Sequence, residues 1–166
     1  HAAVGLAQIK KLDTFLAIQK KNHKALKNAL AQIPEVSFRR IPDESGDSCT
    51  FLSWFLPTEE ATKAVVAELK ARNILAGNFY WFVNNWHYIS KWDHLKNAVT
   101  LNSLHPDLKA AVIHHATKDF AASDAIMSRC ISTAIGLMWT DEQLKTKCDQ
   151  LVGVIQKVLS EQKVAL

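Results

Sequence analysis

"AAVGLAQIKKLDTFLAIQKKNHKALKNALAQI", Ala2 to Ile33, is the stretch on which the fold turns. Leu12, Leu16, Gln19, His23, Leu26, Leu30 and Ile33 recur at steps of four and three, the period of one buried helix face. Lys10, Lys11, Lys20, Lys21, Lys24 and Lys27 fall among the other positions and read as a solvated face. The spacing predicts one long helix, stopped by Pro34. Its stripe opens at full density, with no N-cap and no polar lead-in, so the chain reads as the later part of something longer.

Beyond Pro34 the period changes. "VSFRRI" (36–41) and "TFLSWFL" (50–56) read as strands able to pair across the polar turn "PDESGDS". "PTEEATKAVVAELKARN" reads as a helix capped by Thr58, with Glu59 and Glu60 at the positive end of its dipole. "NFYWFV" (78–83) is a third strand candidate, and "CISTAIGL" (130–137) a fourth. Helices are expected around 107–115 and 123–129, and "TDEQ" (140–143) is a capping box opening a last amphipathic helix. The expected fold is α+β: a long N-terminal helix and a small, mostly antiparallel sheet of three to four strands with helices packed on it.

With 166 residues, 48% hydrophobic and 22% charged, the chain can bury a core without metal or disulfides. Cys49, Cys130 and Cys148 are far apart and form no CxxC pair, so they read as buried or idle thiols of a cytoplasmic protein. No run approaches the length of a membrane span and no signal peptide is visible. The net charge of +4 raises nucleic acid as a partner, but no recognition module accompanies the lysines, so neither nucleic acid nor membrane is expected.

None of the stand-alone catalytic motifs occurs. His87, His94, His105, His114 and His115 lack the spacings of metal-ligand sets, and no metal is expected. His23 reads as a half-buried, hydrogen-bonded core histidine, and Arg129 as a partner in an internal salt bridge. The densest chemistry is "WFVNNWHYISKWDHL", 81–95, with three of the five tryptophans and two of the seven histidines. Trp81 and Trp92 read as packing residues, whereas His87 follows the turn-forming pair Asn84-Asn85, where loops carry function.

"AAVGLAQIKKLD" (2–13) resembles the "AAxGLAQLxKLD" helix of the DegT-type sugar aminotransferases. Their "HYxPLH" motif lies over 82–87, with Phe82 in place of the first histidine. Their "AExxxxRxLSLPxxPxLT" motif places Asp124, Arg129, Ser132 and Thr140 on its glutamate, arginine, serine and threonine. "NNWHYISKWDHL" is most similar to the branch that makes 8-amino-3,8-dideoxy-octulosonate for lipopolysaccharide.

The resemblance implies residues 1–33 as a helix joining a large domain to a small C-terminal domain, 34–166, of a homodimeric, cytoplasmic enzyme. It implies pyridoxal phosphate as cofactor, a keto sugar as substrate and an amino donor such as glutamate. The cofactor-holding lysine, its carboxylate partner and the phosphate-binding segment lie upstream of the matching helix in that family, so this chain is expected to be incompetent alone and to contribute no catalytic or cofactor-binding residue. Asn84, Asn85, Trp86 and His87 are implied as substrate-binding residues: histidine can hydrogen-bond a hydroxyl or carboxylate, and indole faces suit the apolar side of a sugar ring. The alternatives are a non-catalytic binding or interaction domain of the same fold, and, more remotely, a nucleic-acid module built on the aromatic and basic residues.

Overall fold

The computed structural model describes residues 1–84 and 88–164. The expected single helix is two: α1, Ala2–Ile9, and α2, Leu12–Leu30. The break falls at Lys10-Lys11, where the Lys11 amide bonds back only three residues, to the Gln8 carbonyl at 2.9 Å. Every residue of the first fourteen is exposed, so no packing holds this end in register. The buried stripe of α2 starts lower, at Gln19, Asn22, Leu26 and Leu30. Proline disfavours helix in the residue before it, and α2 stops at Leu30, ahead of Pro34.

Two five-residue strands, β2 (Phe51–Phe55) and β4 (Cys130–Ala134), form the sheet's centre. The two-residue strands β1 (Ser37–Phe38) and β3 (Asn78–Phe79) flank them. The order is β1-β2-β4-β3, every pair antiparallel. All four expected strands are thus shorter than the runs that suggested them. "NFYWFV" leaves the sheet after Phe79 and winds into a 3-10 turn, Trp81–Val83.

On β2 the period of two is clear: Leu52 and Trp54 are buried, Phe51 is exposed, and Ser53 and Phe55 are half-buried. The inward residues meet α2, α3 (Glu59–Ala71) and α7 (Asp141–Val164). Leu26, Leu30, Trp54, Val65, Leu69, Ile131, Val154 and Ile155 are fully buried there, each large side chain stabilising by about 1.5–3 kcal/mol. Both expected helix starts form. Thr58 Oγ1 accepts from the Ala61 amide at 3.1 Å. The Thr140 amide donates to Gln143 Oε1 at 3.0 Å while the Gln143 amide returns to Thr140 Oγ1 at 3.2 Å. The remaining helices, α4 (Asp93–Lys96), α5 (Pro106–Ala116) and α6 (Ala121–Met127), lie between β3 and β4 in the chain.

Just past the end of β4, two carbonyls are taken by α2. Gln19 Nε2 donates to the Ile135 carbonyl at 2.8 Å and Asn22 Nδ2 to that of Gly136 at 2.9 Å. The Trp139 indole lies so close to Gly136 that a Cβ there would stand 2.4 Å from Nε1. Asn22 is 2% exposed, so removing its amide leaves a part-buried carbonyl unpartnered. Asn22→Ala is therefore expected to lower unfolding stability in denaturant by about 1–3 kcal/mol, against at most about 0.5 kcal/mol for the exposed neighbour Lys21→Ala. Equal losses at the two positions would contradict this.

Candidate functional site

Because successive strand residues face opposite ways, Phe79 points away from the helices while Asn78 points toward them. Phe79 meets Phe51 edge-on at 6.0 Å and stacks on Trp81 at 4.9 Å and 8°. Phe82 lies 6.0 Å from Tyr80 and 5.6 Å from Tyr88, and the Lys91 ammonium sits over the Phe82 ring at 4.7 Å. Trp81 and Trp92 are half-buried, so neither is the core residue its composition suggested. Trp81 instead extends an aromatic row across the sheet's second face.

Tyr80 and Tyr88 fix the two ends of this segment. Both are buried, and both reach α6: Tyr80 Oη donates to the Ser128 carbonyl at 2.8 Å, and Tyr88 Oη to the Asp124 carboxylate. Asp124 and Ser128 stand one turn apart, so a single helical turn receives the two tyrosines that flank residues 81–87. Burial, with Glu59 and Glu60 adding, pushes the Tyr80 phenol up to about 12. Burial and then the Asp124 hydrogen bond push Tyr88 up to about 12, the nearby Ser90 hydroxyl acting weakly the other way. Ser90 Oγ is itself buried without a hydrogen bond of normal geometry.

Of the four expected substrate residues, Asn84 is described: it is half-buried and extended, and its amide bonds to the Trp81 carbonyl at 3.0 Å. Asn85, Trp86 and His87 lie outside the described residues. Arg129 does not form the expected salt bridge with any of the described residues. Its guanidinium donates to the carbonyls of Ala125 at 2.9 Å and Leu56 at 3.3 Å, tying α6 to the end of β2. Ser132 bonds Ser53 across the ladder at 2.9 Å. Asp124, Arg129 and Ser132 thus hold the scaffold. Sequence reasoning missed the two tyrosines, although they are the chain's only two and bracket the loop. His94, His105, His114 and His115 are exposed and gather no ligand set among the described residues.

Two of the concavities among the described residues border β3 or α6, and each is large enough for a small molecule. One, of ≈ 460 Å³, lies between β3, the end of β4 and α7, with Leu26, Ile74, Trp139 and Lys147 on its walls. The Lys147 ammonium is held over the Trp139 ring at 5.1 Å. The other, of ≈ 350 Å³, is a cleft edged by Ser90, Lys96, Lys118, Asp119 and Asp124.

The sequence model of the DegT/DnrJ/EryC1/StrS aminotransferase family matches residues 1–152 of the chain. Aminotransferases of this family use pyridoxal phosphate, which requires a lysine, a carboxylate at the ring nitrogen and a phosphate cradle. The full set does not come together in one concavity among the described residues. No carboxylate lines the larger cavity beside Lys147. In the cleft, Lys96 is spent on the Ser90 carbonyl; Lys118 stands there with Asp119 and Asp124, but no glycine edges the cleft to let backbone amides approach a phosphate. The described residues of this chain do not fit the cofactor.

The tyrosine anchors predict an alkaline titration. Their folded pKa values of about 12 lie above the ordinary 10.0, so the fold favours the protonated phenols. That stabilisation is complete below pH 10.0 and is lost as the pH rises toward about 12. With only two tyrosines in the chain, ultraviolet tyrosinate absorbance should appear near pH 12 in the folded protein and near 10.0 in denaturant. Half the amplitude appearing at the ordinary value while the protein is still folded would contradict one of the two anchors.

Proposed function

The chain belongs to the DegT/DnrJ/EryC1/StrS aminotransferase family, and from that membership we propose that it forms the small domain of an enzyme that aminates a keto sugar. The family match over residues 1–152 carries the reading and favours it over a non-catalytic module. In this reading residues 1–33 join a large domain to the small domain, 34–166. Val4, Leu6 and Ile9, each more than 60% exposed, lie against the rest of the enzyme, since soluble surfaces seldom leave such patches bare. Pyridoxal phosphate, when bound, supplies the electron sink for moving an amino group from a donor such as glutamate to the keto carbon. Its lysine, ring partner and phosphate site come from outside this chain, which by itself is not competent.

The chain's own contribution is the loop after Tyr80. Asn84 and Asn85 offer amide donors and acceptors to sugar hydroxyls, the Trp86 indole covers an apolar sugar face, and His87 hydrogen-bonds a hydroxyl or a carboxylate. The pinning of the loop ends by Tyr80 and Tyr88 supports this, because binding groups gain when their mount is rigid. The substrate class that follows from the "NNWHYISKWDHL" likeness is an acidic octulosonate-type keto sugar of lipopolysaccharide synthesis, handled by a cytoplasmic homodimer.

His87→Ala tests the reading in the enzyme that carries this small domain. Loss of a bond to an uncharged hydroxyl corresponds to about two- to tenfold in kcat/KM, and of a bond to a carboxylate to about ten- to over a hundredfold. The larger loss, with the bound cofactor's absorbance and the melting curve unchanged, is expected for an acidic sugar. Unchanged kcat/KM on the keto sugar would remove His87 from the site.

A further inference from the structure

Away from the aromatic loop, the described residues bring one set of ligand-capable side chains together: His23 on α2, and Asp47 and Cys49 on the loop entering β2. A ring nitrogen of His23, a carboxylate oxygen of Asp47 and the Cys49 sulfur all lie within 4.8 Å of one another. We propose that these three residues form a binding site for a borderline-soft divalent cation, zinc(II) or one like it, that clips α2 to the 43–49 loop.

The donor set is the first argument. Imidazole, carboxylate and thiolate are the ligands that tetrahedral zinc takes, at about 2.0–2.3 Å, which sets donor–donor separations of about 3.3–3.8 Å. Closing the present triangle requires inward shifts of about 1 Å, within the reach of side-chain rotation. Solvent takes the fourth position, since His23 and Asp47 are only half-buried.

Second, the three side chains make no hydrogen bonds among the described residues outside the cluster itself. Neither ring nitrogen of His23 makes a hydrogen bond among the described residues, so the sequence expectation of a bonded core histidine fails at its second half. Asp47 Oδ1 accepts from the Cys49 amide at 3.0 Å, which orients the carboxylate toward the sulfur, and its other oxygen takes no hydrogen bond among the described residues. The Cys49 sulfur has only a long contact of 3.7 Å to the Asp47 carbonyl. Cys49 is buried at a φ of 57°, a left-handed conformation that suits glycine and is disfavoured for a residue with a side chain.

Charge is the third. Lys20, Lys27 and Arg39 face the cluster and would oppose a bare cation. Lys20 is engaged by the Ser45 carbonyl at 2.9 Å, and Lys27 lies 3.8 Å from Glu44. A divalent ion bound by one thiolate and one carboxylate takes the cluster from the single negative charge of Asp47 to neutral, so no net positive charge is left facing them. Uptake forms the metal–sulfur bond as the Cys49 thiol proton leaves to solvent.

Cobalt(II) titrated into the chelator-treated 166-residue chain reads the site directly. One equivalent is expected to produce a thiolate-to-cobalt charge-transfer band, displaced by zinc(II), with one proton released and a rise in Tm. Cys49→Gly, which suits the backbone there, should keep the fold and lose both the band and the Tm rise. His23→Gln should weaken uptake by at least about ten- to a hundredfold, and Cys148→Ser should change nothing. Absence of the band at one equivalent, or a band that survives Cys49→Gly in a folded protein, overturns the proposal.

Discussion

The hydroxyl of Thr133 accepts a hydrogen bond from the Trp54 indole at 3.0 Å and donates one to Asn78 Oδ1 at 2.7 Å. One oxygen thereby joins β2, β4 and β3 on the helix-covered face. The indole is fully buried, so its N–H needs a partner, and the diagonal position on the adjacent strand is where β geometry puts one. β3 is two residues long and has little ladder of its own. Its place in the sheet depends on this bond, on the Gly77 carbonyl taking the Ala134 amide at 2.8 Å, and on the left-handed Gly77, φ 83°, that turns the chain into it.

Everything that follows β3 inherits that position. Asn78 is fixed from the core side, so Phe79 is presented to the other face and begins the aromatic row. One residue later, Tyr80 reaches α6, and Tyr88 returns to the same turn of that helix. α6 is in turn held by Arg129 to the end of β2 and leads straight into β4. Tyr80 and Tyr88, on either side of the proposed sugar contacts, are therefore both anchored beside one central strand, and the segment just past β4 is locked to α2 through Gln19 and Asn22.

What was legible in the sequence is what local chemistry decides. Thr58, Thr140 and Gln143 cap their helices as their spacing requires, and the β-rich run "TFLSWFL" gives β2, paired with the strand before it. The apolar period of residues 2–33 did not reveal the break at Lys10-Lys11, because periodicity records which residues would share a face and not whether a surface is there to receive it. "NFYWFV" has strand composition, yet its Tyr80 is satisfied by α6, and that bond draws the chain off the ladder. Arg129 took carbonyls because it sits beside two element ends with acceptors to spare. The His23, Asp47 and Cys49 grouping spans distant positions and was invisible to spacing. The sugar-contact residues came from likeness to a family, not from pattern.

Amide hydrogen exchange in Thr133→Val tests the dependence of the loop on this hydroxyl most directly. The substitution keeps side-chain shape and strips Trp54 Nε1 and Asn78 Oδ1 of their shared partner. The account predicts that protection falls selectively from residue 78 through the 3-10 turn at 81–83 and its following Asn84 amide, while the β2–β4 ladder stays protected. Unchanged protection across 78–84 in the folded variant would show that the loop is positioned without Thr133 and would contradict the account.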